Sequence, residues 1–437
     1  MLHPLVLMTP MLVYMYGLRP VLLQSNNQLL VHFSSEQLLL GLLVNAVVVS
    51  GFCFGLICRC DLPRHASLPF SLTPSQQQKI FQLGCILGVV AVAAYWYGIS
   101  QNGGLARVYG QAKGHVILSS GYVAEAPMLA FPAIMLIFLS RRGRKLRPSD
   151  IILALIFAFP HLLHGILGAR RGPTFLVMGT LIFSWYVATG RRPKGIPLTI
   201  GLAATVILMF FLISHRNQIF LGANVDVDTA SVVETAFPTT AKLGDDVVFG
   251  IAQSNVANGT GRHYWGARLG VILFVRPIPR QIWPSKYEDS GFGWMKAPDN
   301  LHGYKFSEWR RVMGWRPQAG SSGGFAADLF CEFSWFAVLA AWCFGRGFAY
   351  LWRKANLRSG IWTIFFLESL ILSIYVPTQS VSAFMHRFVF MSVITLVFWK
   401  LNIGRLDSGP RMIVAPRRRP PPADIPVKQP VGCDESS

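Results

Sequence analysis

Long apolar runs without a single charge set the first limit on what this chain can become. Leu38 to Cys58 is 21 residues free of Asp, Glu, Lys and Arg, and Ile80 to Ile99 is 20 more. At a helical rise of about 1.5 Å per residue, each run reaches across roughly 30 Å of hydrocarbon. One such run could be a buried core helix; a series of them could not. Composition agrees, with 14% of the 437 residues charged against about 25% in ordinary soluble domains. The chain reads as an all-α polytopic membrane protein.

The pattern predicts about ten transmembrane helices, near 2–18, 38–58, 80–99, 121–140, 151–169, 173–189, 197–214, 325–345, 361–377 and 382–400. Pro4, Pro10 and Gly17 interrupt the first. Between these blocks lie basic clusters: Arg59, Arg64 and Lys79; Arg141, Arg142, Arg144, Lys145 and Arg147; Arg191, Arg192 and Lys194; Arg346, Arg353, Lys354 and Arg358; and Arg405, Arg411 and Arg417 to Arg419. With ten helices all of them fall on one side. By the positive-inside tendency both termini are then cytoplasmic. Helices one to seven occupy 1–214, a large extracytoplasmic loop 215–324, helices eight to ten 325–400, and a basic, Pro-rich, disordered tail 401–437.

The net charge of +20 therefore serves topology and contact with the lipid bilayer. No free basic domain exists for nucleic acid, which is not an expected partner. The seven cysteines sit mostly in apolar blocks as small hydrophobes and form no disulfide or zinc framework. There is no Walker A sequence, no HExxH and no nucleophile elbow.

The 215–324 loop is too long for a simple connection, and its apolar stretches, such as Val247–Ile251 and Leu269–Val275, are too short to cross. Short helices and re-entrant pieces lying on the membrane face are expected there. Just before it, Gly168-Ala169-Arg170-Arg171-Gly172-Pro173 forms the turn between helices five and six. Two adjacent arginines on the outer side run against the positive-inside tendency. Beside a helix start, with Pro173 suited to its first position, their guanidinium forks make a phosphate receptor; the alternative is snorkelling to lipid head groups. A second segment, Arg276-Pro277-Ile278-Pro279-Arg280-Gln281-Ile282-Trp283-Pro284-Ser285-Lys286, cannot be a regular helix. It holds cations beside an indole, suited to a phosphate next to a sugar, or to anchoring at the interface. His161 and His164, His215 and Arg216, Asp328 and Glu332, and His386 and Arg387 cluster near the same membrane depth, with Glu368 deeper. Ionisable groups at such depths face cavities or one another.

Three of these pieces resemble the Wzy-type O-antigen polymerases, the bacterial oligosaccharide repeat-unit polymerases. Gly168–Pro173 looks like the family's Arg-Gly turn. Arg276–Lys286 is similar to its Ile-Pro-Arg, Trp-Pro, Lys element. Ala326–Phe336 resembles its small-acid-Leu-aromatic helix, with Asp328 where Glu is commoner. Their order and helix placement agree across about 150–340.

The resemblance implies a metal-independent, inverting membrane glycosyltransferase without cofactor, in the bacterial inner membrane with its site facing the periplasm. It would polymerise polyprenyl-pyrophosphate-linked oligosaccharide units into O-antigen, capsular polysaccharide or exopolysaccharide, alongside a chain-length regulator and a flippase. It puts Arg170, Arg171 and Arg280 on pyrophosphate, with Arg216, Arg276, Lys286, Arg387 and Trp283 supporting the pyrophosphate and glycan. Asp328, then His263 or His215, would accept the proton. The alternatives are an O-antigen ligase or other lipid-linked glycosyltransferase, and a lipid-linked oligosaccharide flippase.

Overall fold

The computed structural model describes residues 3–57, 72–112, 125–189 and 195–403, apart from 225, 226, 244, 279, 317, 319 and 320. The side chains at 171, 197, 198, 202, 295 and 296 are likewise outside the description. So are the basic residues 59, 64, 191, 192 and 194, the start of the expected fourth helix at 121–124, and the tail from 404 onward.

The described chain is helical almost throughout. It runs through α1 (Pro4–Ser25), α2 (Ser35–Ile57), α3 (Pro74–Gln101), α4 (Gly104–Tyr109), α5 (Ala126–Ser140), α6 (Pro148–Leu167), α7 (Arg171–Thr189) and α8 (Gly195–Ser214). The long connection then forms α9 (Thr229–Ala236), α10 (Asp246–Thr260), α11 (Ala267–Gly270), α12 (Lys286–Asp289), the hairpin β1 (Asn300–Leu301) and β2 (Tyr304–Lys305), and α13 (Phe306–Met313). The chain closes with α14 (Gly324–Phe333), α15 (Ala337–Leu357), α16 (Ile361–Leu372), α17 (Tyr375–Thr378) and α18 (Val381–Ile403). Eight helical stretches among the described residues are long and apolar enough to cross a membrane, and two shorter apolar helices, Ala126–Ser140 and Thr199–Ser214, accompany them. This is a multi-pass membrane protein.

Side-chain burial says the same. On α6, Ile152, Leu155, Ile156 and Phe159 are all exposed, a helical stripe that in water would carry charge. The opposite face, through Asp150, Ala154, Phe157 and Ala158, is buried. The first helix continues past its expected end to Ser25, because a π turn at Tyr14–Leu18 takes up the irregularity around Pro10 and Pro20.

The two ends of the bundle differ. At one, Arg141 holds Asp150 with both forks, at 2.9 and 2.8 Å, and lies 4.9 Å over the Phe81 ring. Arg142 donates to Ser359 Oγ at 2.6 Å. The other end carries the long connection.

That connection does not simply lie across the bundle. Val247 to Ala257 of α10 are all buried. The helix is wedged against α2, where a Cβ on Gly41 would come within 2.6 Å of Ile251, and against the start of α14, where a Cβ on Gly250 would meet the Gly323 carbonyl at 2.7 Å. Stacking of Phe249 on Trp309 of α13, centroids 5.3 Å apart, covers it. The apolar run at Val247–Ile251 is thus a plug inserted between two long helices. Glycine spacing on its partners, rather than its length, decides that position.

The stretch from Gly324 to Leu357 is broken. Ser334 sits at φ 52 and ψ −138, ending α14; its amide still reaches the Phe330 carbonyl, and the carbonyls beyond that lack helical donors. The long connection supplies them. His263 Nδ1 donates to the Phe330 carbonyl at 3.0 Å, and the Tyr264 and Trp265 amides to those of Cys331 and Glu332 at 3.1 and 2.6 Å.

One step further on, Arg268 is buried between two carboxylates. Its Nη2 lies 2.8 Å from Asp328 Oδ1 and its Nε 2.5 Å from Glu332 Oε1. Its Nη1 donates to the His302 carbonyl at 2.8 Å. Burial alone would weaken its hold on the proton, but the two carboxylates outweigh that and strengthen it.

Removing the cation strands two buried acids, so Arg268→Ala is expected to destabilise the protein by about 3–5 kcal/mol. An apolar triple replacement of Arg268, Asp328 and Glu332 should recover part of the loss. Thermal unfolding in detergent measures both.

Candidate functional site

The arginine turn is built by the way α6 ends. The Ala169 amide donates to the Ile166 carbonyl at 3.0 Å and the Arg170 amide to that of Gly165 at 2.8 Å. This is a Schellman closure, which needs a left-handed residue after the helix. Ala169, at φ 46, takes that role, although an alanine is strained there. Arg170 follows at once, exposed, and α7 begins at Arg171. The helix therefore opens two residues earlier than expected, with Pro173 still in its first turn.

Gly172 allows the turn to seat against α17: a Cβ there would lie 2.8 Å from Tyr375 Oη. The Arg387 guanidinium stacks 4.5 Å over the Tyr375 ring, and its Nη1 donates to the Ala383 carbonyl at 2.7 Å. Arg387, Glu125 and Arg170 all lie within electrostatic reach of Tyr375. Glu125, at the mouth of α5, joins the group from the other side. Its Oε1 is 3.0 Å from Arg276 Nη2 and 3.2 Å from His386 Nε2. Burial opposes ionisation of Glu125. The His386 hydrogen bond and the charges of His386, Arg387 and Arg276 outweigh it, and its pKa falls to about 2. Three elements distant in sequence, with Glu125 at the mouth of α5 as the fourth, thus bring Arg170, Arg276, His386 and Arg387 to one patch at the loop end of the bundle.

The other expected residues divide. Lys286 is buried, and its Nζ donates to the Arg276 carbonyl at 2.8 Å and to that of Ile278. It closes the proline-rich segment on itself, supplying a donor where prolines supply none. Trp283 Nε1 donates to Asp289 Oδ2 at 2.6 Å. Ser285 shares that oxygen, and the two bonds lower the pKa of Asp289. Arg280 is exposed. The side chain of Arg171 lies outside the described residues.

His215 is buried with both nitrogens engaged: Nε2 accepts the Asp228 amide at 3.0 Å, and Nδ1 faces Ser214 Oγ and the Phe211 carbonyl. Arg216 beside it is exposed. Leu212 and Ile219 pack on Ala169, so both residues flank the arginine turn. His263 caps α14 as described. Asp328 gives Oδ1 to Arg268, and its Oδ2 accepts the Val381 amide at 3.1 Å. Both oxygens of the expected proton acceptor are thereby committed to protein partners.

A G-x-S-x-G string does occur, at Gly320–Gly324, contrary to the expectation of none. Among the described residues no strand leads into it, and Ser322 Oγ donates to the Gln379 carbonyl. Among the described residues no group of three or more His, Cys, Asp or Glu gathers as a metal cage would. The two best-formed depressions lie elsewhere. One, of about 370 Å³, lies in the apolar stripe between α3 and α6; the other, of about 490 Å³, lies near Lys79 and Asn402.

Glu125, Tyr375, Tyr109 and Arg268 were invisible as site residues in the sequence. One acid before an apolar run looks like any helix start, and nothing in the sequence marks which tyrosines a distant arginine will cover. No protein-family model, characterised protein or solved structure matches the chain.

Two measurements probe this geometry. Ala169→Gly relieves the left-handed alanine and should stabilise the protein by about 0.5–1 kcal/mol, seen as a higher melting temperature. Glu125 has a lowered pKa, so its contribution is complete above the ordinary carboxylate value of 4.5 and fades as pH falls toward about 2. Acid titration of stability should therefore show a loss across that window that Glu125→Gln lacks.

Proposed function

We propose that the patch formed by Arg170, Arg276, His386 and Arg387 binds the diphosphate of a lipid-linked glycan, and that the protein is a membrane glycosyltransferase polymerising such units. The observation that carries the reading is the convergence of Arg170, Arg276 and Arg387, with His386 beside them, from three elements at the loop end. Guanidinium groups match phosphate oxygens in pairs, and a helix start adds backbone donors. Arg171 begins that helix. A lipid diphosphate at the mouth of a membrane bundle would meet cations at the head-group level and apolar helix faces below.

In an inverting transfer, the acceptor hydroxyl oxygen bonds to the anomeric carbon as the carbon–diphosphate bond breaks. The departing oxygen takes the electron pair. Positive charge held ready at that oxygen lowers the barrier. Arg268 and its two acids act at one remove, by fixing the segment that leads into Arg276.

The reading includes a topology of about ten crossings, with the shorter α5 and α8 among them. Both termini and the basic end lie in the cytoplasm, and the patch faces the periplasm of a bacterial inner membrane. The basic residues at Arg141 and Arg142, opposite the patch, support that orientation.

Deleting the gene separates the main classes. Loss of a polymerase leaves single repeat units on the cell surface, whereas loss of a flippase leaves none. At residue level, Arg170→Ala, Arg171→Ala, Arg280→Ala and Arg387→Ala should each lower polymer formation by about 10²–10³ while the protein still inserts. Full-length polymer in any variant removes that residue from the site. Transfer should persist in excess EDTA; strict dependence on a divalent ion would show the arginine account to be wrong.

A further inference from the structure

We infer that His164, backed by Tyr109 and Tyr95, is the proton acceptor of the transfer reaction. The inference rests on the function proposed above and names a catalytic residue for it.

Three side chains from three helices form a line beneath the arginine turn. Tyr95 Oη of α3 lies 2.9 Å from Tyr109 Oη of α4, and Tyr109 Oη lies 2.9 Å from His164 Nδ1 of α6. Tyr95 and Tyr109 are buried with Ile99 and Val108 in a small core of their own, covered by Leu163 and Leu167. Both His164 and Tyr109 are within electrostatic reach of Arg170. The line starts in apolar surroundings and ends at the last turn of α6, where the Arg170 amide closes on the carbonyl of Gly165, the residue after His164.

The other described imidazoles at this end are differently committed. His161 Nε2 donates to the Pro127 carbonyl at 2.8 Å, and His302 Nε2 to that of Ser321 at 3.0 Å. His263 caps α14, while His215 and His386 have both nitrogens engaged. A carbonyl only accepts; it cannot relay a proton. His164 instead faces a hydroxyl that can donate or accept. Among the described residues its Nε2 meets no hydrogen-bond partner. Tyr109 fixes the ring by its Nδ1, which leaves Nε2 for substrate.

As the acceptor oxygen bonds to the anomeric carbon and the electron pair leaves with the diphosphate, the hydroxyl proton passes to His164 Nε2. The resulting imidazolium donates through Nδ1 to Tyr109 Oη, whose own proton turns toward Tyr95 Oη. The charged and titratable groups facing the ring are Arg170 from the turn, His161 from the same helix and Tyr109 from α4.

The test uses the full chain in lipid nanodiscs, a lipid-diphosphate oligosaccharide as donor and acceptor, and a fluorescent prenyl diphosphate as binding probe. His164→Gln should lower kcat by about 10²–10⁴ with probe affinity changed by less than about two-fold. Tyr109→Phe should retain more activity and displace the acid limb of the kcat–pH profile. His164→Gln that keeps more than about a tenth of kcat, or that loses probe binding in step with rate, overturns the assignment. If His164→Gln does not insert, Tyr109→Phe decides: an unaltered rate and pH profile overturns the assignment. Wild-type protein that binds no prenyl diphosphate overturns the lipid-diphosphate reading and this inference with it, an outcome separate from failure of a variant alone.

Discussion

The buried guanidinium of Arg268 is the interaction on which the loop end of this bundle depends. It joins three pieces of chain that have no covalent reason to meet. Its own segment leads into Arg276. Asp328 and Glu332 belong to the helix that breaks at Ser334. Through the second oxygen of Asp328, the clamp reaches the Val381 amide at the start of α18. His386 and Arg387 lie along that same helix. Fixing Arg268 therefore aligns the elements that carry Arg276, His386 and Arg387, three of the four residues in the patch.

A membrane chain can break a helix only where other protein groups take up the freed backbone. Here the break is paired with the His263–Gly266 segment, whose ring and amides satisfy consecutive carbonyls, while the Gly266 amide also binds Glu332 Oε2 at 3.0 Å. Asp328 and Glu332 follow from the same constraint. Acids one helical turn apart in an apolar setting need a shared cation, and Arg268 is that cation. Their chemistry is spent on holding the fold.

Charge is arranged differently at the patch. Glu125 is the one carboxylate paired there with Arg276 and His386, and it is partly exposed rather than buried in a clamp. It holds Arg276 and His386 on one oxygen, whereas Arg268 holds two carboxylates in a buried clamp.

The sequence alone determined which segments are helical, because a bilayer-length run without charge has few alternatives: most expected segments from 38–58 onward reappear near their expected bounds wherever the chain is described, while the one expected at 325–345 breaks at Ser334 and runs on to Leu357. It also marked Arg170 and Arg276, beside Gly and Pro turns, and Arg387, at the start of an apolar helix, as residues of interest. Tertiary packing decided their partners. Glu125 lies more than a hundred residues from Arg276, and Tyr375 is far along the chain from the turn it supports. The same holds for the α10 plug, which composition describes only as a run too short to cross; Gly41 on α2, its own Gly250 and Gly323 ahead of α14 admit it to the core. Local pattern fixes which segments enter the membrane, whereas ion pairing and close backbone approach are properties of residues brought together from separate helices, and no window of sequence contains them.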